Sequence, residues 1–371
     1  MMVSPISSRT YGVLSSGEEA VAWTLTGRGG LVLEVITLGG IVTRMLAPGR
    51  DGRADDVVLG FSDLASYAAG HPHFGAITGR VTGRITGAAF TLDGRTYQLA
   101  RNDPPNHLHG GARGFDKRIW DASQVNRTDG APSLRLAYFS PDGEEGYPGN
   151  VHVTVTYTVT NENVFLIESE ATADRTTPLN LAHHSYFNLA GEGSGSIADH
   201  ELEIFADTFV PTDEHLTLSG RLASTDNQGN DFLRPRRLGD AIPLLFQQHG
   251  DLYALPARAA GALAPAARLR DAASGRVLKV STTQDYLQLY TGSKLNGNRP
   301  GKSGTVYPPY AGLCLECHGY PDVSNASLRD GILLHPGKTQ RHATAYAFSV
   351  DVQEASPADG PARTAGRTSQ E

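Results

Sequence analysis

The chain has 371 residues, 39% hydrophobic and 19% charged, with a formal net charge of −7: enough apolar area for a sizeable globular core, but no basic footprint for displacing counterions from nucleic acid. Its two cysteines cannot supply a disulfide framework. Neither a leader pattern nor a run of about 18 apolar residues is present, so the expectation is a cytoplasmic protein that takes a small neutral ligand.

In chain order, residues 1–8 read as a tail, and strand signals follow from "LVLEVITLGGIVTRML" (31–46) onward. "FTLDGRTYQL" (90–99) is a hairpin, because Asp93-Gly94 tolerates the positive φ angles of a two-residue turn. "VHVTVTYTV" (151–159) alternates, turns at Asn161–Asn163 and resumes at Val164. "LKVSTTQDYLQLYTG" (278–292) repeats the theme late in the chain. Hardly any segment of helical period is long enough to cross over between parallel strands. The expectation is therefore all-β: one large antiparallel β-sandwich over 9–353, without an internal linker. The Ala/Pro-rich 257–267 stretch reads as a surface excursion, and 354–371 as a disordered tail, lacking the apolar residues that offset ordering entropy.

Several signals imitate chemistry. Cys314-Leu-Glu-Cys317 has redox spacing, but on a strand side chains three apart diverge, so the sulfurs should not meet. Gly301-Lys302-Ser303 lacks the upstream glycine of a phosphate loop, since Asn296 stands there. "GEGSGSIAD" (191–199) is a plain loop without a dinucleotide fingerprint. His107 and His109 form an H-x-H pair on one strand face, but no multi-ligand spacing accompanies it, and no metal is expected.

Two stretches carry polar groups in places where strands should be apolar. In "PLNLAHHSYFNL" (178–189), alternation puts His183 with Leu179, Leu181, Ser185 and Phe187, a core face. It puts His184 with Asn180, Tyr186 and Asn188, a face suited to a cleft for hydroxyl-rich ligands. In "AGLCLECHGY" (311–320), Glu316 shares a face with Gly312, Cys314 and His318, opposite Leu313, Leu315 and Cys317. A carboxylate inside so apolar a strand is either structurally paired or kept for function. Taken alone, Arg84 reads as a paired surface charge and Gln288 as a polar strand residue.

The segments "GAITGRVTGRITGAAFTLDGRTYQL", "NHLHGGARGFDKRIW", "DGEEGYPGN", "LNLAHHSYFNLAG", "LQLYTG", "AGLCLECHGYPDVSN" and "LLHPGK" together resemble the aldose 1-epimerases, or galactose mutarotases, in family order and over nearly all the chain except its tails. The resemblance implies a β-sandwich with an open sugar-binding cleft on a curved sheet. It also implies cofactor-free interconversion of the α and β anomers of a free aldose such as galactose or glucose, by a monomer or homodimer. Carried over by motif, the catalytic acid falls on His184 and the base on Glu316, with Arg84, His109, Asp251 and Gln288 as sugar-binding residues. The chain departs from the family pattern at Gly83, where Asn is usual, at Cys317-His318, where Thr-Gln is frequent, and after Asp251, where Leu252-Tyr253-Ala254 stands. These departures bear on substrate preference. Ring opening needs one proton delivered to the ring oxygen and one removed from the C1 hydroxyl, work for one acid and one base. Two other readings are a sugar-phosphate mutarotase, for which Arg113, Lys117 and Arg118 are candidate phosphate ligands, and a non-catalytic carbohydrate-binding protein.

Overall fold

The computed structural model describes residues 5–351. Every strand ladder among them is antiparallel. The widest sheet has nine strands, in the order Asp121–Val125, Ser133–Ser140, Val151–Val159, Val164–Ala173, Thr339–Val350, Arg276–Thr282, Ala264–Arg270, Glu201–Ile204 and Arg236–Arg237. A five-stranded meander takes up Ile6–Val13 through Ala54–Asp56. A second five-stranded sheet runs Ala223–Ser224, Thr208–Val210, Leu252–Ala254, Tyr286–Tyr290, Cys314–His318.

Alternation explains how these sheets pack. Along Val151–Val159 the side chains of Val151, Val153, Val155 and Tyr157 are buried while His152 is exposed, as a half-buried pleat requires. One apolar cluster draws Leu33 and Val35 from the meander, Val153 and Tyr157 from the wide sheet, and Leu287, Leu289, Leu313 and Leu315 from the smaller sheet and its approach. Polar ties fix the layers: the Tyr157 hydroxyl donates to Gly40 O at 3.1 Å and the Tyr346 hydroxyl to Leu315 O at 2.9 Å. The cluster runs from Ile6 to Phe348.

Local expectations fare unevenly. The Ala89–Leu92 and Arg95–Gln98 strands form the hairpin, with Asp93 and Gly94 both left-handed at φ 51° and 76°. The tail expected over residues 1–8 is too long, for the first strand begins at Ile6, whose buried side chain joins the core. The 257–267 stretch is also corrected. Ala264–Arg270 is a strand of the wide sheet, and Ala266 and Ala267 are fully buried, because a methyl group fits where neighbouring strands pack closely. The expected 354–371 tail lies outside the described residues. No helix among the described residues is long and apolar enough to cross a membrane.

Two buried arginines tie together segments from distant parts of the chain. Arg276 donates to Ala47 O at 3.0 Å and Leu189 O at 2.9 Å and meets Asp55 at 2.5 Å. Arg80, 2% exposed, donates to the Ser140 hydroxyl and to the carbonyls of Ser140, Pro141, Pro148 and Gly149, each at 2.8–2.9 Å. Burial pulls the Arg80 guanidinium down to about 10, and the ring of carbonyls keeps the ion hydrogen-bonded. Removing it leaves those carbonyls without their donor. Arg80→Ala should lower unfolding free energy by about 3 kcal/mol, seen as a reduced urea midpoint at unchanged slope; an unaltered midpoint would show that the network contributes nothing.

Candidate active site

The register of the smaller sheet pairs Leu252 with Gln288 and Gln288 with Glu316, so these three residues stand side by side on one face. The opposite face carries Tyr253, Leu287, Leu289, Leu315 and Cys317 into the core. The first face opens on a cleft of about 1060 Å³, mouth included, also lined by Arg84, His109, His184, Asp251 and His318. All six residues expected at a sugar site therefore converge. Asp251 is among them although its flanking residues depart from the family pattern. Tyr253 close by is buried and donates to Asn230 O at 2.8 Å, while Asn230 Nδ2 donates to Asp251 Oδ2 at 3.0 Å. Burial raises the Asp251 carboxyl to about 6, against the pull of Asn230.

The two adjacent histidines separate as alternation demands, although only Ala182–His183 lies in a ladder. His183 sits among the rings of Tyr157, Phe165 and Tyr346, with Nε2 2.7 Å from the Ser185 hydroxyl. It is a core residue. His184 enters the cleft, its Nε2 3.5 Å from Glu316 Oε1, with both side chains nearly inaccessible. Burial holds His184 well below the ordinary imidazole range and lifts Glu316 to about 8, with Arg84 pulling the carboxyl the other way. The Cys314 thiol, kept protonated by burial, lies 3.5 Å from His184 Nδ1, and Nε2 is the nitrogen that faces Glu316. A neighbouring group sets the tautomer of His109: Gly83 N–H donates to its Nδ1 at 3.2 Å, leaving an Nε2–H.

The other two expected residues have local partners as well. Arg84 Nε donates to Asp103 Oδ2 at 2.7 Å, and the amide of Gln288 donates to Leu289 O at 2.6 Å.

Several readings are corrected. Asn180 and Asn188 do not face the cleft; Asn180 bonds both N and O of Gly319, and Asn188 donates to Gly195 O and Ala311 O. They clamp loops, because an amide can satisfy backbone donors and acceptors that a strand would have paired. His107 and His109 do not share a face. His107 is buried between Ala100 O and the Tyr147 hydroxyl, both at 2.8 Å, whereas His109 leaves the strand at φ 49°. Cys314 and Cys317 are free thiols, and Lys302 is a structural cation that donates to Thr43 O, Asp56 and Val58 O. Of the departures, Cys317 and Tyr253 point into the core, whereas Gly83, Leu252 and His318 line the cleft. Gly83, left-handed at φ 78°, lies where an added Cβ would come within 2.7 Å of Pro321.

The sequence reading missed His73, His249, Asp103 and Lys294, all of which line the cleft. A second H-x-H, His71-Pro-His73, was the available signal for the first. Oxygen and nitrogen donors of His109, His184 and Glu316 lie within 4.8 Å of one another, a donor set of the type that divalent transition ions take.

Comparison with known proteins gives a consistent result. The family model described as "Aldose 1-epimerase" matches residues 21–347. The galactose mutarotase of Sus scrofa is 42% identical over 94% of this chain and 100% of its own length. The aldose 1-epimerase of Escherichia coli (strain K12) is 32% identical over 93% of this chain and 99% of its own. Among solved structures, that of the GalM/aldose epimerase homologue from C. elegans aligns with a TM-score of 0.81 at 27% identity, covering 88% of this chain and 98% of the other.

The electrostatics of the cleft are open to direct titration. Carbon-detected NMR of the Asp251 carboxyl should give a midpoint of about 6, following the value burial imposes; an ordinary value of about 4 would mean that water reaches the group.

Proposed function

The chain belongs to the aldose 1-epimerase family and is an isomerase of aldoses; from that premise we propose that it interconverts the α and β anomers of free aldohexoses such as galactose and glucose, using His184 as acid and Glu316 as base. The observation that carries this reading is the approach of His184 Nε2 to Glu316 Oε1 at 3.5 Å on a buried cleft floor.

The chemistry follows from where one proton resides. In the empty cleft, burial favours neutral groups on both sides: an imidazole, and a carboxyl that keeps its proton up to about pH 8. With the neutral ring's own proton on Nδ1, moving that single proton from Glu316 to the bare Nε2 of His184 gives an imidazolium and a carboxylate, the acid and base that ring opening needs. A C1 hydroxyl donating to Glu316 favours the second arrangement, because a hydrogen bond to the charged form lowers a carboxyl's pKa. His184 then protonates the ring oxygen while Glu316 takes the C1 proton, the C1–O bond to the ring breaks, and a free aldehyde forms. Rotation about C1–C2 and reversal of both transfers close the ring on the other face. The pair ends with the one proton it began with.

The remaining groups hold the sugar. The Nε2–H of His109 is a donor for the ring oxygen or a neighbouring hydroxyl, and Asp251, Gln288 and Arg84 offer acceptors and donors for the others. Arg113, Lys117 and Arg118 lie along a different depression, and Lys117 and Arg118 are paired with Asp116 and Glu144 at 3.0 Å each, which favours unphosphorylated substrates.

Polarimetry of freshly dissolved α-galactose and α-glucose tests the reading. The protein should hasten mutarotation equally with and without a chelator; loss of rate on chelation would put a metal on His109, His184 and Glu316. Glu316→Gln should lower kcat by roughly 10²–10⁴-fold while galactose still binds, and a near-normal rate would remove Glu316 as base.

The pair works only while it holds one proton. That proton is lost as pH rises past about 8, and a second is gained only well below the ordinary histidine value. Activity should therefore be level through neutrality and fall above about pH 8; an alkaline fall already beginning at the ordinary histidine value of about 6.5 would contradict the assignment.

A further inference from the structure

His73 belongs to neither the expected constellation nor the core, yet its side chain lines the cleft beside the two histidines already described. Its ring centroid is 4.6 Å from that of His109 and 5.5 Å from that of His184. Its Nδ1 lies 2.9 Å from Asp116 Oδ2, and Asp116 is wholly buried with Lys117 Nζ 3.0 Å from the same oxygen. Asp116 remains ionised despite its burial, the bond from His73 being the largest of the influences that favour its charge. A buried carboxylate so placed accepts the Nδ1 proton and fixes both the tautomer and the ring orientation of the histidine.

The consequence differs from that at the neighbouring His109. His109 uses Nδ1 as acceptor and presents Nε2–H to the cleft. His73 uses Nδ1 as donor to Asp116, so the Nε2 of its neutral ring is an acceptor beside that donor. The backbone supports a dedicated placement. His73 sits at φ 61°, a left-handed conformation that is uncommon away from glycine and gathers at ligand sites, and His109 opposite it is left-handed too.

Resting on the reading of the cleft as an aldose site, we propose that His73 is a specificity-determining residue whose Nε2 accepts a hydrogen bond from one hydroxyl of the bound aldose, on the side of the sugar next to His109. Asp116 is its positioning residue. Nothing in the proton transfers at C1 and the ring oxygen requires His73, so its loss acts on binding of that hydroxyl and leaves the acid and base in place.

The test uses His73→Asn, since asparagine tolerates the left-handed backbone, assayed by anomer-exchange NMR on galactose and its 2-, 3-, 4- and 6-deoxy analogues. The unmodified protein must first hasten exchange of galactose itself; if it does not, the underlying reading fails rather than this one. The variant should lose roughly three- to tenfold in kcat/KM on galactose, in line with one neutral hydrogen bond. The loss should appear chiefly in KM and vanish for the one analogue that lacks the bonded hydroxyl. An equal loss on every sugar, or none on any, overturns the proposal. A second measurement needs no variant: in the unmodified protein the His73 Nε2 resonance should shift on adding galactose and stay in place on adding that same analogue, and an unmoved resonance with galactose bound overturns it as well.

Discussion

A carboxylic side chain and an imidazole, both cut off from water and 3.5 Å apart, constrain everything else in this cleft. Isolated burial of either charge is costly, so each group is driven toward its neutral form. Transfer of one proton between them makes a buried ion pair of two neutral groups, and the attraction between the new charges offsets part of the cost of burying each. Coupled groups of this kind titrate as a unit. On the proposed mechanism, a glutamate lifted to about 8 and a histidine pushed down, which taken singly are both in the wrong state at neutral pH, become the acid and base once hydroxyls reach them.

The fold exists, in functional terms, to bring residues 184 and 316 together from distant parts of the chain. Sheet register does half of this, setting Glu316 beside Gln288 on the one face of the smaller sheet that is not core. The irregular segment carrying His184 does the other half. It is pinned by Phe187 N to Leu313 O at 2.7 Å, by His184 N to Ala76 O at 3.0 Å and by the asparagine clamps on either side. Tautomers are set by groups just behind the rings: a backbone N–H for His109 and a carboxylate for His73. Such partners matter as much as the rings themselves, since the proton must sit on the correct nitrogen before any transfer occurs.

Strand periodicity made the architecture and the two central residues legible. His183 and His184 differ only in parity, and Glu316 stood out as a charge among leucines and cysteines; both signals survive because the pleat forces neighbours to opposite faces. The same logic failed for Asn180 and Asn188, whose parity was right but whose segment leaves the ladder, so their amides serve the backbone instead. It failed for His107 and His109 for the related reason that a left-handed residue breaks the strand. Arg84, Gln288 and Asp251 were unreadable from pattern alone, and only the family resemblance singled them out. His73 escaped both routes: it lies on a loop without periodicity, and its partner Asp116 comes from 43 residues away.

The most direct test of the shared-proton mechanism is whether Glu316 carries a proton in the sugar-free protein at neutral pH. Infrared difference spectra between the unmodified protein and Glu316→Gln should contain a carboxylic-acid C=O band that weakens when galactose fills the cleft. A carboxylate band in its place before sugar is added would mean that burial does not hold the proton on Glu316, and the mechanism would be wrong.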